Sequence, residues 1–291
     1  MAGREISPQK YVQYCRWALW SLTVIVVSGG AVRLTGSGLG CSDWPNCEED
    51  QFVADLEYHA LIEFMNRLFT GVVTLAVILA VLGSIRRIPR RTDLVWWSWG
   101  LVGGVAAQVI LGAVLVKTEL DPRFTMGHFL LSMVLLWNAV VLIHKAQDPT
   151  PVVSPPRLRR LGWIAGSIGA VLLVSGTIVT GSGPHSGSDE AEVAERLPFL
   201  VRDVARIHAV VAITLLVVVI AIWQVSRRSA LVDVTQRAAM TAGLLVVQGV
   251  IGYWQYFTGV PVLLVAVHIT LASLTWINLV RLQLATASRL S

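Results

Sequence analysis

Eight long apolar runs, each close to the ~20 residues that a bilayer core takes per helix, constrain this chain more than any motif in it. They lie at approximately 12–32, 61–84, 94–116, 125–144, 161–180, 206–225, 238–257 and 261–282. Inside lipid every backbone N–H and C=O must be paired within its own segment, so such runs fold as helices. Only 14% of the residues are charged, against about 25% in soluble domains. The expected fold is an all-α polytopic membrane protein with eight transmembrane helices. The first run is read as a span and not as a cleavable signal, because it is long and no small-residue cleavage site follows a short core.

The formal charge is +5, yet the basic residues are spread over short loops between apolar runs. That pattern sets topology and excludes nucleic-acid binding as the reason for the charge. Arg4, Lys10 and Arg16 precede or open span one, and Arg86, Arg87, Arg90 and Arg91 follow span two. Lys145, Arg157, Arg159 and Arg160 follow span four; Arg227, Arg228 and Arg237 follow span six; Arg281 and Arg289 close the chain. The alternate loops are acidic. The first carries Asp43, Glu48, Glu49, Asp50, Asp55 and Glu57, and the third Asp189, Glu190, Glu192 and Glu195. Both termini are therefore expected in the cytoplasm of a cell-membrane protein. Trp96, Trp97 and Trp99 at one boundary and Tyr253, Trp254 and Tyr256 at the other fit aromatic belts.

DPTPVVSPP, Asp148 to Pro156, is a proline-rich linker near the middle of the chain. It separates an N-terminal part, 1–148, from a C-terminal part, 161–291, across a linker at 149–160. The parts echo one another. SGGAVRLTGSG at Ser28 returns as SGTIVTGSG at Ser175, QVILG at Gln108 as QGVIG at Gln248, and His128 as His268. An even number of helices in each part makes this a parallel repeat. Two pseudo-symmetric four-helix bundles are expected.

Ionisable residues inside spans are costly and mark function. His59, His128 and His208 lie at the outer starts of spans two, four and six, and His268 about two turns into span eight. That places one histidine pair in each bundle, on its second and fourth helices. A single such histidine is more often a hydrogen-bonded structural residue. Four of them at similar depth and in repeated positions point to haem held between facing imidazoles. His144 and His185 fall outside this pattern and read as solvated.

Glu63 and Asn66 share a helix face with His59. A carboxylate there serves as acid, base or proton relay, or pairs with Arg67 one turn on. Arg33 and Arg67 suit carboxylates such as haem propionates, or else snorkel to headgroups. Gln108 and Gln248 suit interhelical packing. Cys41 and Cys47 enclose SDWPN in an outer loop that permits a disulfide; a structural staple, a redox-active pair and two free thiols are all open from sequence. Cys15 reads as a buried structural thiol. TGSGLG at Thr35 lacks both a preceding strand and the Lys-Ser/Thr of a P-loop, so a phosphate-binding role is excluded.

GGAVRLTGSGLGCSDWPNC, the glutamate of span two and the four histidines together resemble the haem A synthase family, over essentially all eight spans. The resemblance implies haem b as cofactor in the C-terminal bundle, with His208 and His268 as axial ligands. It implies haem O as substrate in the N-terminal bundle, with one ring methyl oxidised to a formyl group to give haem A for terminal oxidases. Cys41 and Cys47 match the family's loop cysteines, and Glu63 a glutamate important for activity. One departure stands out. The family commonly has Glu-x-x-His-Arg in span two, and here the run is Glu63-Phe64-Met65-Asn66-Arg67. An amide is a poor iron ligand. Either His59, about 10 Å outward, replaces the missing imidazole, or His128 alone binds the substrate haem, or the N-terminal site is altered in function.

The expected partners are haem O, a haem O synthase, an electron donor and the lipid bilayer, and a homo-oligomer is compatible with the sequence. The competing readings are a dihaem cytochrome b-type membrane electron carrier, with Cys41–Cys47 a staple and Glu63 structural, and a repeat-built transporter.

Overall fold

Eight α-helices run through the residues described by the computed structural model, which are 5–48, 52–149, 154–188 and 195–287. They are α1 (Pro8–Leu34), α2 (Tyr58–Arg86), α3 (Thr92–Lys117), α4 (Pro122–Gln147), α5 (Pro156–Ser182), α6 (Val201–Arg228), α7 (Val232–Phe257) and α8 (Val262–Ala287). All eight are long and apolar enough to cross a membrane, so the chain is a multi-pass membrane protein. Most helices run past the apolar segments that located them. Hydropathy marks only the part in hydrocarbon, whereas local chemistry sets the ends. Pro8, Pro122 and Pro156 each open a helix, where the missing N–H costs nothing. Ser7 caps α1 by accepting from the Lys10 N–H at 3.3 Å. α5 begins within the segment read as a linker. Arg4, Glu49, Asp50, Asp189, Glu190, Glu192 and Arg289, and linker residues 150–153, lie outside the described residues.

The chain divides into two compact units, 1–147 with 183–197 and 148–182 with 198–291. In the first unit α1 packs on α2 and α4, and α3 packs on the same two. In the second unit α5 packs on α6 and α8, and α7 packs on those two. Each unit closes a ring of four helices, with its second and fourth helices on a diagonal. Segment 183–197 belongs to the first unit although it follows α5. The Gly38 N–H donates to the Gly187 carbonyl at 2.8 Å, and Arg33 Nε to the His185 carbonyl at 3.0 Å. His185, expected in a solvated loop, is thereby packed against the end of α1 and half-buried.

Small residues set the spacing inside each ring. Lipid tails are as apolar as leucine, so helices associate through close van der Waals fit. On α3, a Cβ added at Gly104 would lie 2.4 Å from Leu135 Cδ2 of α4. On α5, Gly162, Gly166 and Gly169 face Thr286, Gln283 and Leu279 of α8, at 1.9, 2.7 and 2.2 Å from the added Cβ. Below that seam Leu158, Leu215, Ile222 and Leu282 fill the second unit's core. In the first unit Tyr11 is fully buried and its hydroxyl pairs with Ser98 Oγ at 3.0 Å. Cys15 is a buried free thiol, as its position in span one suggested. Leu75, Ile78 and Leu82 on α2, and Val210, Ile213 and Val217 on α6, are exposed; they make up the apolar faces that a bilayer covers.

Replacing Gly169 by leucine forces α5 away from α8. Overpacking of this kind costs about 1–3 kcal/mol. A thermal melt of the detergent-solubilised protein should show Gly169→Leu unfolding well below the wild type, while Gly243→Leu, whose added Cβ has nothing within 4 Å, should melt unchanged.

Candidate functional site

The cysteine loop is held from below by α2. Cys41 and Cys47 form a disulfide, and both are buried with Ala54 and Ala60, against which Phe64 packs. One carboxylate oxygen of Glu63 accepts the Cys41 N–H at 2.8 Å. The other accepts Arg67 Nε at 3.1 Å and Nη2 at 2.5 Å. Arg67 Nη1 then donates to the carbonyls of Asp43 and Asn46 at 2.8 and 2.9 Å. An i,i+4 ion pair on one helix thus grips both sides of a seven-residue ring. Gly40 lets the loop come this close, because a Cβ there would lie 2.4 Å from the His59 carbonyl group.

The structure places the sequence-predicted residues as follows. Arg67 and Glu63 meet each other and the loop. Arg33 lies at the end of α1 beneath residues 184–188. His59 occupies the first turn of α2, its Nδ1 3.0 Å from Ser37 Oγ and its ring edge-on to Tyr58. His128 on α4 and His268 on α8 are half-buried, as is His208 on α6. His208 Nδ1 lies 2.9 Å from Ser175 Oγ. In the first unit Ser28 Oγ instead donates to Asn66 Oδ1 at 2.7 Å. These serines were not singled out as site residues. The signal for them was the echoed Ser-Gly element, whose serine meets a polar residue of the next helix in each unit.

The donor set suits haem: His128, His208 and His268 offer imidazoles partly buried in the rings, each beside a glycine. Among the described residues, the buried side-chain polar atoms without a partner include Gln108 Oε1 and His128 Nδ1 in the first unit. They include Gln248 Oε1 and His268 Nδ1 in the second. Each buried orphan costs about 1–3 kcal/mol, and the same two atom types are left in both units. Gln108 Nε2 meanwhile donates to the His128 carbonyl at 3.0 Å and to Ser132 Oγ at 2.6 Å, which keeps the glutamine beside the imidazole. Each ring also faces a glycine. A Cβ added at Gly112, Gly176 or Gly252 would lie 3.9, 3.1 or 3.4 Å from Cε1 of His128, His208 or His268. Each imidazole thus packs against a residue without a side chain.

The clamp on the loop is testable without any ligand. Arg67→Ala leaves the Glu63 carboxylate, 6% exposed, without its charge partner, and breaking a buried pair costs about 3–5 kcal/mol. Reduction of Cys41–Cys47 by a water-soluble phosphine, followed by thiol alkylation and mass, should be at least about tenfold faster than in the wild type, the factor that 1.4 kcal/mol makes. An equal rate would show that the loop is held by something else.

Known proteins have sequences similar to this chain. The chain is 27% identical to a protein of Oceanobacillus iheyensis named Heme A synthase, over 36% of this chain and 35% of that one. It is 27% identical to one of the same name from Macrococcus caseolyticus, over 50% and 52%. A third, from Staphylococcus epidermidis, is 25% identical over 61% and 60%. The matched stretches span about a third to three-fifths of the length of these curated relatives. The family model described as Cytochrome oxidase assembly protein matches residues 14–280, which takes in some part of all eight helices, and the chain belongs to that COX15-CtaA family.

Proposed function

We propose that the protein is a haem A synthase, oxidising one ring methyl of haem O to a formyl group. The observation that carries this is a fourth-helix imidazole facing a third-helix glycine in each unit, His128 with Gly112 and His268 with Gly252, inside a chain of this family. We assign the haem b cofactor to the second unit, held by His208 and His268, which lie on diagonal helices of that ring. Bound there, haem b supplies one-electron redox chemistry whose potential the ligands and their surroundings tune. Ser175 orients the His208 ring through Nδ1, a hydrogen bond that fixes the tautomer and leaves Nε2 for iron.

The substrate haem O belongs in the first unit, with His128 as its ligand from α4, His59 at the outer rim and Arg33 as a candidate propionate contact. Two successive hydroxylations carry the methyl to a gem-diol, each removing two electrons and adding one oxygen atom. Loss of water then leaves the aldehyde. Glu63 acts here as a positioning residue. Both of its oxygens are engaged, so it holds the cysteine loop over the outer end of α2, and it can take part in proton transfer when the Arg67 contact opens. The two rings are read as pseudo-symmetric bundles, with both termini cytoplasmic and the cysteine loop outside. Each hydroxylation would take one oxygen atom from dioxygen and release the other as water, so two electrons and two protons per step must come from an electron donor in the membrane, and a haem O synthase would supply the substrate.

Membranes of cells that make haem O but no haem A provide the test. Co-production of this chain with a haem O synthase should put haem A into acidified-acetone extracts, resolved by chromatography, and His268→Ala should abolish it. Extracts holding only haem O and redox-active haem b would instead mark a dihaem electron carrier.

A further inference from the structure

Resting on the haem reading above, we propose that the first unit binds haem iron through one protein ligand, His128. Asn66 stands at the position of the second imidazole, so one axial position is left for a small exogenous ligand. The two units supply the comparison. In each, a Ser-Gly pair on the first helix meets a polar residue on the second. Ser175 Oγ pairs with His208 Nδ1 at 2.9 Å, and Ser28 Oγ with Asn66 Oδ1 at 2.7 Å. Asn66 and His208 both lie about two turns inside their helices at 1.5 Å per residue. Asn66 is therefore the counterpart of His208 in contact and in depth.

The neighbouring glycines record the missing ring. A Cβ added at Gly176 would meet His208 Cε1 at 3.1 Å, whereas one added at Gly29 has nothing within 4 Å. The fourth-helix position shows no such difference, since Gly112 and Gly252 both face an imidazole. The first unit thus keeps one histidine of the pair and opens the space of the other. His59 does not fill that space. It sits in the first turn of α2, about 10 Å along the axis from Asn66, where Ser37 Oγ holds it at the end of the helix. Ser37 is itself tied into the outer loops, where it bridges Ser188.

An asparagine there has consequences of its own. Its Oδ1 is taken by Ser28, which leaves the Nδ2 amide as a hydrogen-bond donor beside the open position. A carboxamide does not compete with imidazole for iron, so the haem of this unit stays five-coordinate. Imidazole, carbon monoxide and cyanide are the probes such a position accepts, whereas an iron held by two histidines has no free position for them.

Absorption and electron paramagnetic resonance spectra of the purified holoprotein, titrated with haem until uptake stops, decide the matter. The wild type should show one low-spin and one high-spin haem. Added imidazole should convert the high-spin signal to low-spin, and carbon monoxide should bind only the haem that gave it. Asn66→His should make both haems low-spin and lose carbon monoxide binding. His59→Ala should leave the spectra as in the wild type. Two low-spin haems in the wild type, or a low-spin signal lost in His59→Ala, would overturn the single-ligand assignment and leave the haem reading standing. A first unit that takes up no haem would overturn both. The imidazole titration needs no substitution, so a poorly folding Asn66→His variant does not remove the test.

Discussion

A polar atom placed inside a four-helix ring in lipid has almost nothing to bond with except what the ring itself provides. Most of the polar side chains here obey that limit by turning back on their own helix. Thr23, Thr177, Ser182 and Thr275 donate to carbonyls three or four residues earlier, a local solution that asks nothing of the neighbouring helix. The atoms that break the pattern are the informative ones. Gln108, His128, Gln248 and His268 carry buried polar atoms without partners. In a low-dielectric interior such an atom is expensive. Arg87, Asn138, Ser154 and Gln255 carry such atoms too, and the glutamine and histidine are the types that recur in both units.

The same constraint explains why the outer loop has the form it does. A carboxylate near the start of a membrane helix needs a positive partner. Glu63 finds one a turn away in Arg67, but Arg67 spends its remaining donors on loop carbonyls at Asp43 and Asn46. The ion pair therefore does not merely neutralise a buried charge. It transmits the position of α2 to the disulfide-bridged loop. Sequence reasoning set Glu63 between a chemical role and a simple pairing with Arg67. The geometry joins the two, because the pairing is what fixes the loop over the site.

The fold was legible because the bilayer makes it so. Twenty-residue apolar runs leave few alternatives to helices, and the eight helices lie where hydropathy put them. Their ends were less legible, since capping by Ser7 and helix starts at Pro8, Pro122 and Pro156 lie outside the apolar runs. The assignment of 183–197 to the first unit could not be read from chain order, which places that segment after α5. At the candidate site, sequence expected the four histidines on the second and fourth helices of each part, and His59, His128, His208 and His268 lie on α2, α4, α6 and α8. The bonds to Ser28 and Ser175 were not legible, because an echoed Ser-Gly pair serves helix packing as readily as it serves a ring nitrogen. The engagement of Arg67 with loop carbonyls was equally hidden, being a matter of how a loop folds back and not of spacing along a helix.

Repetition within one chain also isolates what has diverged. Where two local designs share the Ser-Gly contact and the glycine facing the fourth-helix histidine, the residues that differ stand out. Those are Asn66 against His208, and a clamped disulfide loop that the second unit lacks among its described residues. A ring with two imidazoles saturates iron and suits a cofactor that only exchanges electrons. On the proposed assignment, a ring with one imidazole and an amide would commit iron less tightly, which suits a haem that must arrive, react and leave. Under that assignment, the substitution that weakens the match to a two-histidine site would be the one that separates a bound cofactor from a transient substrate.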